Sequence, residues 1–235
     1  MPTLGTGLSA AVLVGAGIGA AALISQALGK DDEDAGAAGA GATARALSYS
    51  GPADFQTPEY AAQQGLRVVK AETLYYNGHY GWYTGGAADP AAGSGVGVKI
   101  AVADTGINAR EAATGGFIAI DASASYDYVN DRAGSAADDA GHGTHVAGII
   151  AAPRNGEGMH GLAYSATIVN FKVGDADARI TASDAQRADM IRRAADAGAM
   201  IINNSWGSGS AITALSAEQV QAAMPLLIEA ARAYV

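Results

Sequence analysis

Val98-Lys-Ile-Ala-Val-Ala103-Asp104-Thr-Gly106 is the stretch on which the fold turns. An apolar run with β-branched residues, interrupted by one lysine, suits a strand buried on both faces, as in a parallel sheet. The run ends on an acid, and Gly106 lets the chain turn sharply after it. Ligand sites of open α/β folds lie at the carboxyl ends of the strands, so Asp104 stands at a candidate site. A strand-Asp-x-Gly turn also occurs for purely structural reasons.

The pattern around this strand alternates. Upstream, Thr57 to Gln64 reads as helical, Val68 to Tyr76 continues an amphipathic stretch, and Gly85 to Gly97 reads as loop. Downstream, Phe117 to Ile120 reads as a second strand, His142 to Ala152 as a buried helix and Thr167 to Val173 as a third strand. Ser183 caps a helix running to Ala197, with Ala188, Ile191 and Ala195 on one face and Gly198 as its stop. Ala199 to Asn203 is a fourth strand, followed by a helical region from Ala217 to Tyr234 interrupted at Pro225. Strands alternating with helices predict an α/β fold with a mostly parallel sheet and helices on both faces.

Composition narrows the function. Apolar residues make up 49% of the 235, enough to build a core and to exclude wholesale disorder. A formal charge of −9 argues against nucleic acid as a partner, since a phosphate-binding surface needs clustered Lys and Arg. The chain has no cysteine, which removes thiol catalysis, disulfides and thiolate zinc sites.

Three regions follow from the distribution of residues: 1–30, an apolar signal- or anchor-like segment; 31–51, a Gly/Ala-rich linker; and 52–235, the folded part. Leu8 to Leu28 carries no charge and is about long enough to cross a bilayer as a helix, so it predicts export and a means of membrane association. Gly15, Gly17 and Ala20 in the same segment have the G-x-G-x-x-A spacing of a dinucleotide-binding turn, with Asp31, Asp32 and Glu33 beyond it. Such a site needs a second strand ending at the acid, and Leu23 to Lys30 gives none.

The second chemical signal is Asp138-Asp-Ala-Gly-His142-Gly-Thr-His145-Val-Ala-Gly148. Glycines on both sides leave His142 exposed, while Val146, Ile149 and Ile150 bury the helix behind it. A histidine so placed serves as a general base near neutral pH. An alternative is a metal site, since His142 and His145 are three apart with Asp138 and Asp139 close by; a convincing third ligand is lacking. A plain helix cap with one satisfied histidine also fits this motif taken alone.

Together the two motifs closely resemble those of the subtilisin-like serine peptidases, the S8 family, whose triad runs Asp, His, Ser. Asp104-Thr-Gly106 is similar to the aspartate motif and His142-Gly-Thr-His-Val-Ala-Gly148 to the histidine motif, so the resemblance gives the catalytic roles to Asp104 and His142 and none to His145. Gly161 to Val173 resembles the family's segment ending in Lys-Val, with Tyr164 where Pro is usual. Ile201-Ile-Asn-Asn-Ser205-Trp206-Gly207 resembles the segment that lines the S1 pocket, so Ser205, Trp206 and Gly207 are expected to bind substrate. Glu59-Tyr-Ala-Ala-Gln-Gln-Gly65 and Arg154-Asn-Gly-Glu-Gly-Met-His-Gly161 resemble passenger domains of bacterial autotransporter subtilases.

The resemblance implies a serine endopeptidase acting on polypeptide, exported to the medium or to the bacterial cell surface and outer membrane. The family's Gly-Thr-Ser-x-Ala and Ala-Gly-Asn strings do not occur in these residues. The expectation is a chain truncated before the catalytic serine, inactive alone, with a subtilisin-like sheet incomplete at the C-terminus and ending at an exposed central edge. An inactive pseudopeptidase or peptide-binding module is the alternative. The family often binds calcium after the histidine helix, where Asn155 stands, but no matching acid follows Asp104, so calcium is unassigned and no cofactor is expected. His79 and His160 are expected at the surface.

Overall fold

The structure, a computed structural model, describes residues 11–14, 51–79, 93–111, 116–205, 218–219, 222 and 225–233. Among these, the main sheet comprises β1 (Ala11–Val14), β2 (Lys99–Asp104), β5 (Tyr126–Asp127), β6 (Arg132–Ala133), β7 (Thr167–Lys172) and β8 (Ile201–Asn204). Their order is β1-β8-β2-β7-β5-β6. Every pairing is parallel except that of β5 with β6. β3 (Arg110–Glu111) and β4 (Gly116–Phe117) form a separate antiparallel ribbon.

Helices cover both faces of the sheet. Side chains alternate along each strand. Ile100, Val102 and Ile168 therefore pack on one side with Ala147 and Ala151 of α4 (His142–Ala151). Ala101, Ala103, Val169, Phe171 and Ile202 pack on the other with α5 (Asp184–Asp196) and Ala230 of α6 (Pro225–Ala233). Each buried Ile or Phe contributes roughly 1.5–3 kcal/mol of transfer free energy. A third cluster joins Phe55, Tyr60 of α1 (Pro58–Ala61), Leu66 of α2 (Gln64–Val68) and Tyr75 of α3 (Ala71–His79).

Local signals explain several boundaries. Ser183 accepts from the Gln186 amide, and the Gln186 side chain accepts from the Ser183 amide, a reciprocal cap for α5. On α5, Ala188 and Ile191 are buried as the periodicity predicts, but Ala194 rather than Ala195 completes the face. Residues 218, 219 and 222 are helical, and a new helix, α6, starts at Pro225, where a residue without an N–H is tolerated in the first turn.

Three expectations are corrected. Ala11–Val14 is a strand, not part of a membrane-crossing helix. A short β-branched run fits beside β8, where it pairs backbone groups that would otherwise be unpaired. The same pairing covers the β8 edge that was expected to be open. This strand lies at the edge of the sheet rather than its centre, and Gly15, Gly17 and Ala20 fall outside the described residues. No helix among the described residues is long and apolar enough to cross a membrane.

Phe117 to Ile120 is not a strand of the main sheet. Phe117 belongs to the β3–β4 ribbon and lies exposed beneath the Arg110 guanidinium. Ile118 is buried, and Ile120 makes a single bridge to Ile168. On the side away from β2, β7 meets this bridge at Ile168, where the Asp121 amide donates to the Ile168 carbonyl and the Ile168 amide to that of Ala119, and then the two-residue β5.

Candidate active site

β2 and α4 deliver an acid and a base to the same end of the sheet. Asp104 is the last residue of β2, and its carbonyl accepts from the amides of Val173 and Gly174 just beyond β7. His142 is the first residue of α4, after Gly141 at a φ of 86°. The imidazole Nδ1 of His142 lies 2.7 Å from Oδ1 of Asp104. The Asp104 side chain is buried, while that of His142 is 49% exposed. Pairing through Nδ1 leaves Nε2 as the nitrogen able to exchange a proton with another group.

This approach is close because two glycines permit it. A Cβ on Gly143 would strike the carbonyl oxygen of Gly106 and press on the Asp104 side chain. Gly106 has a φ of +111°, and a Cβ there would strike the carbonyl of Ala137.

Asp138 ties the acid loop to the helix start. Its Oδ1 accepts from the Thr105 hydroxyl at 2.7 Å and from the Ala140 and Gly141 amides, and its Oδ2 accepts from the Thr144 amide. Burial pushes this carboxyl up, but bonds from the Thr144 amide and Thr105 hydroxyl, with that from Gly141, outweigh it and hold the pKa below the usual carboxylate range. Asn108 brackets the same residue, donating to the Asp138 carbonyl and accepting from its amide. Lys172, the last residue of β7, is buried and donates to the carbonyls of Thr105 and Ala137. Its ammonium also lies 3.0 Å from Oδ2 of Asp139.

Of the residues expected at the site, the structure brings together Asp104 and His142. Ser205 follows β8 in register beside β2, where Ala103 pairs with Asn204, so it stands at the same end of the sheet. Its hydroxyl accepts from the Asn203 side chain at 2.7 Å. Trp206 and Gly207 lie outside the described residues. His145 is exposed, and no group of three His, Asp or Glu side chains able to hold a metal occurs among the described residues. Thr105 and Asn108 carry no site role in the sequence reading, and Asp138 figures there only among the acids beside the metal-site alternative. The acid-acid-x-Gly run before His142 was the available signal for Asp138, and a lysine closing an apolar strand for Lys172.

His160 corrects another expectation. It is 1% exposed rather than at the surface. The rings of Tyr60, Tyr75 and Tyr164 surround it, and Nδ1 donates to the Gly161 carbonyl at 3.0 Å. Burial pushes its pKa below the ordinary histidine value. The side chain of His79 lies outside the described residues. The side-chain oxygen of Asn155 accepts from the Glu157 amide, and calcium stays unassigned.

Comparison with known proteins places this geometry in context. The subtilase family, peptidase S8, matches residues 95–231. An extracellular serine protease of Serratia marcescens is 34% identical over 156 residues, covering 66% of this chain and 12% of its own length. A cell wall-associated protease of Bacillus subtilis (strain 168) is 44% identical over 111 residues, 47% of this chain and 12% of that protein. A thermophilic serine proteinase of Bacillus sp. (strain AK1) is 34% identical over 178 residues, 74% of this chain and 42% of that protein. The chain thus spans a small part of the relatives' length. Among solved structures, fervidolysin from Fervidobacterium pennivorans shares the fold, with a TM-score of 0.50, 24% identity, and coverage of 83% of this chain and 26% of that one.

Proposed function

The chain belongs to the subtilase family, and from that premise we propose that it supplies the acid and the base of an exported serine endopeptidase. The observation that carries this reading is the 2.7 Å contact between the buried carboxylate of Asp104 and Nδ1 of the half-exposed His142. Asp104 fixes the tautomer and stabilises the imidazolium; it does not itself take up the proton. Nε2 of His142 accepts the proton of a serine hydroxyl as that oxygen attacks the scissile carbonyl, and then gives it to the departing amine. Ser205, Trp206 and Gly207 offer backbone to an extended polypeptide, which pairs there as an added strand.

The extracellular and cell wall-associated relatives support export. The segments Glu59–Gly65 and Arg154–Gly161 support the finer assignment to an autotransporter passenger, with residues 52–235 as the N-terminal part of the peptidase domain. No Gly-Thr-Ser string occurs in the sequence, so this chain by itself hydrolyses no peptide bond.

Three experiments test these statements. Purified chain is incubated with casein, with and without a serine-directed fluorophosphonate; inhibitor-sensitive cleavage would overturn the claim of inactivity. The genomic reading frame beyond Val235 is then translated. A Gly-Thr-Ser string in frame supports the endopeptidase, whereas an immediate stop codon favours a peptide-binding pseudopeptidase. In an active protein, His142→Ala lowers kcat by several orders of magnitude with KM nearly unchanged, because the base acts only in the transition state.

A further inference from the structure

Lys172 is 2% exposed. An ammonium so deeply buried is costly unless every donor is met. Here two carbonyls accept from it, that of Thr105 and that of Ala137 at 3.1 Å, and the Asp139 carboxylate lies 3.0 Å away as an ion-pair partner. These partners belong to two different loops. Thr105 follows the acid, and its amide donates to the same Asp104 oxygen that holds His142. Ala137 and Asp139 flank Asp138, which binds the amides of Gly141 and Thr144 around His142. In the sheet, Lys172 pairs with Asp104, so its side chain starts beside the acid.

We propose that Lys172 is a positioning residue, a buried cation that fastens the loop after Asp104 to the loop before His142 and so fixes the length of the Asp104–His142 hydrogen bond. The inference rests on the proposed role of that pair, but it concerns a bond present in this chain and needs no peptide hydrolysis to be read. Asp139 is 57% exposed at its side chain, so neutralising Lys172 strands no buried charge: the carboxylate turns to water. The two carbonyls lose their donors, and the loops lose one of the anchors they share.

The test uses the whole chain labelled with 15N-histidine. The Hδ1 proton of His142, held against a carboxylate, gives a low-field resonance whose exchange with water reports how firmly the bond is kept. In Lys172→Met this resonance is lost, or its exchange rises about tenfold, the factor for one charge-assisted hydrogen bond. As a control, Phe171→Leu perturbs the core from the neighbouring buried position and leaves that exchange unchanged. A folded Lys172→Met protein with unaltered exchange overturns the proposal, as does equal acceleration in Phe171→Leu. Should Lys172→Met not fold, Asp139→Asn removes only the exposed anchor. A several-fold faster exchange there supports the role, and no change overturns it. Absence of the resonance from the unsubstituted chain overturns the Asp104–His142 pair itself, and the role of Lys172 with it.

Discussion

The amide of Gly143 donates to the hydroxyl of Thr105 at 2.9 Å, so the first turn of the histidine helix is bonded to the residue that follows the acid. That hydroxyl in turn donates to Asp138 at 2.7 Å. One oxygen atom thus joins the end of β2, the loop at 138 and the start of α4.

Thr105→Val keeps the shape and removes the hydroxyl. It leaves the buried Gly143 amide without its acceptor and takes one bond from Asp138, at a cost of about 1–3 kcal/mol. A drop in Tm of about 2–4 °C for each kcal/mol is expected in thermal unfolding, with Thr105→Ser restoring most of it.

Gly143→Ala drives a methyl against the Gly106 carbonyl and the Asp104 side chain. Destabilisation of about 1–3 kcal/mol is expected from overpacking, along with lengthening of the Asp104–His142 contact. Gly65, inside α2, has open space where a Cβ would go. Gly65→Ala therefore stabilises by about 0.5–1 kcal/mol. Urea unfolding of the two variants should shift in opposite directions.

Protonation of His160 works against folding. Its pKa is lower in the folded chain than the ordinary value of about 6.5, so the unfolded chain binds the proton more readily. Stability is intact above that value and falls as the pH drops through 6.5 toward the folded pKa. The urea midpoint of the native chain should decline from pH 7.5 to 5.5 more steeply than that of His160→Gln. Equal slopes would remove His160 from the acid response.

Ser183→Ala removes the side-chain acceptor for the Gln186 amide at the start of α5. A loss of about 1 kcal/mol is expected, read as a lower urea midpoint with an unchanged m-value.

Legibility followed the range of the interactions. β2, α4, β7 and α5 could be read because each is declared by neighbouring residues: an apolar β-branched run, a glycine-flanked histidine before an apolar stretch, a serine cap. Asp104 and His142 lie at the ends of two such elements and were legible for that reason. β5 has two residues, too few for a period, and its place in the sheet depends on β7. His160 carried no local sign of burial, because Tyr60 and Tyr75 reach it from a segment far upstream. The bonds made by Lys172 were hidden likewise, since its acceptors come from loops separated from it by α4. Residues 11–14 were misread because an apolar run long enough for a bilayer resembles a strand over any four of its residues.

The pairing of Ala11–Val14 with Ile201–Asn204 also sets an order in time. Synthesis makes β1 before every other described strand, yet its partner is the last described strand to be made. Closing so long a loop costs more entropy than joining β2 to β7, and contacts of such sequence separation form slowly. During that interval β8 has β2 on one side and water on the other, and any extended segment with free backbone groups can take the vacant place. The speed at which β1 arrives therefore governs how long each newly made molecule remains open to a competitor strand.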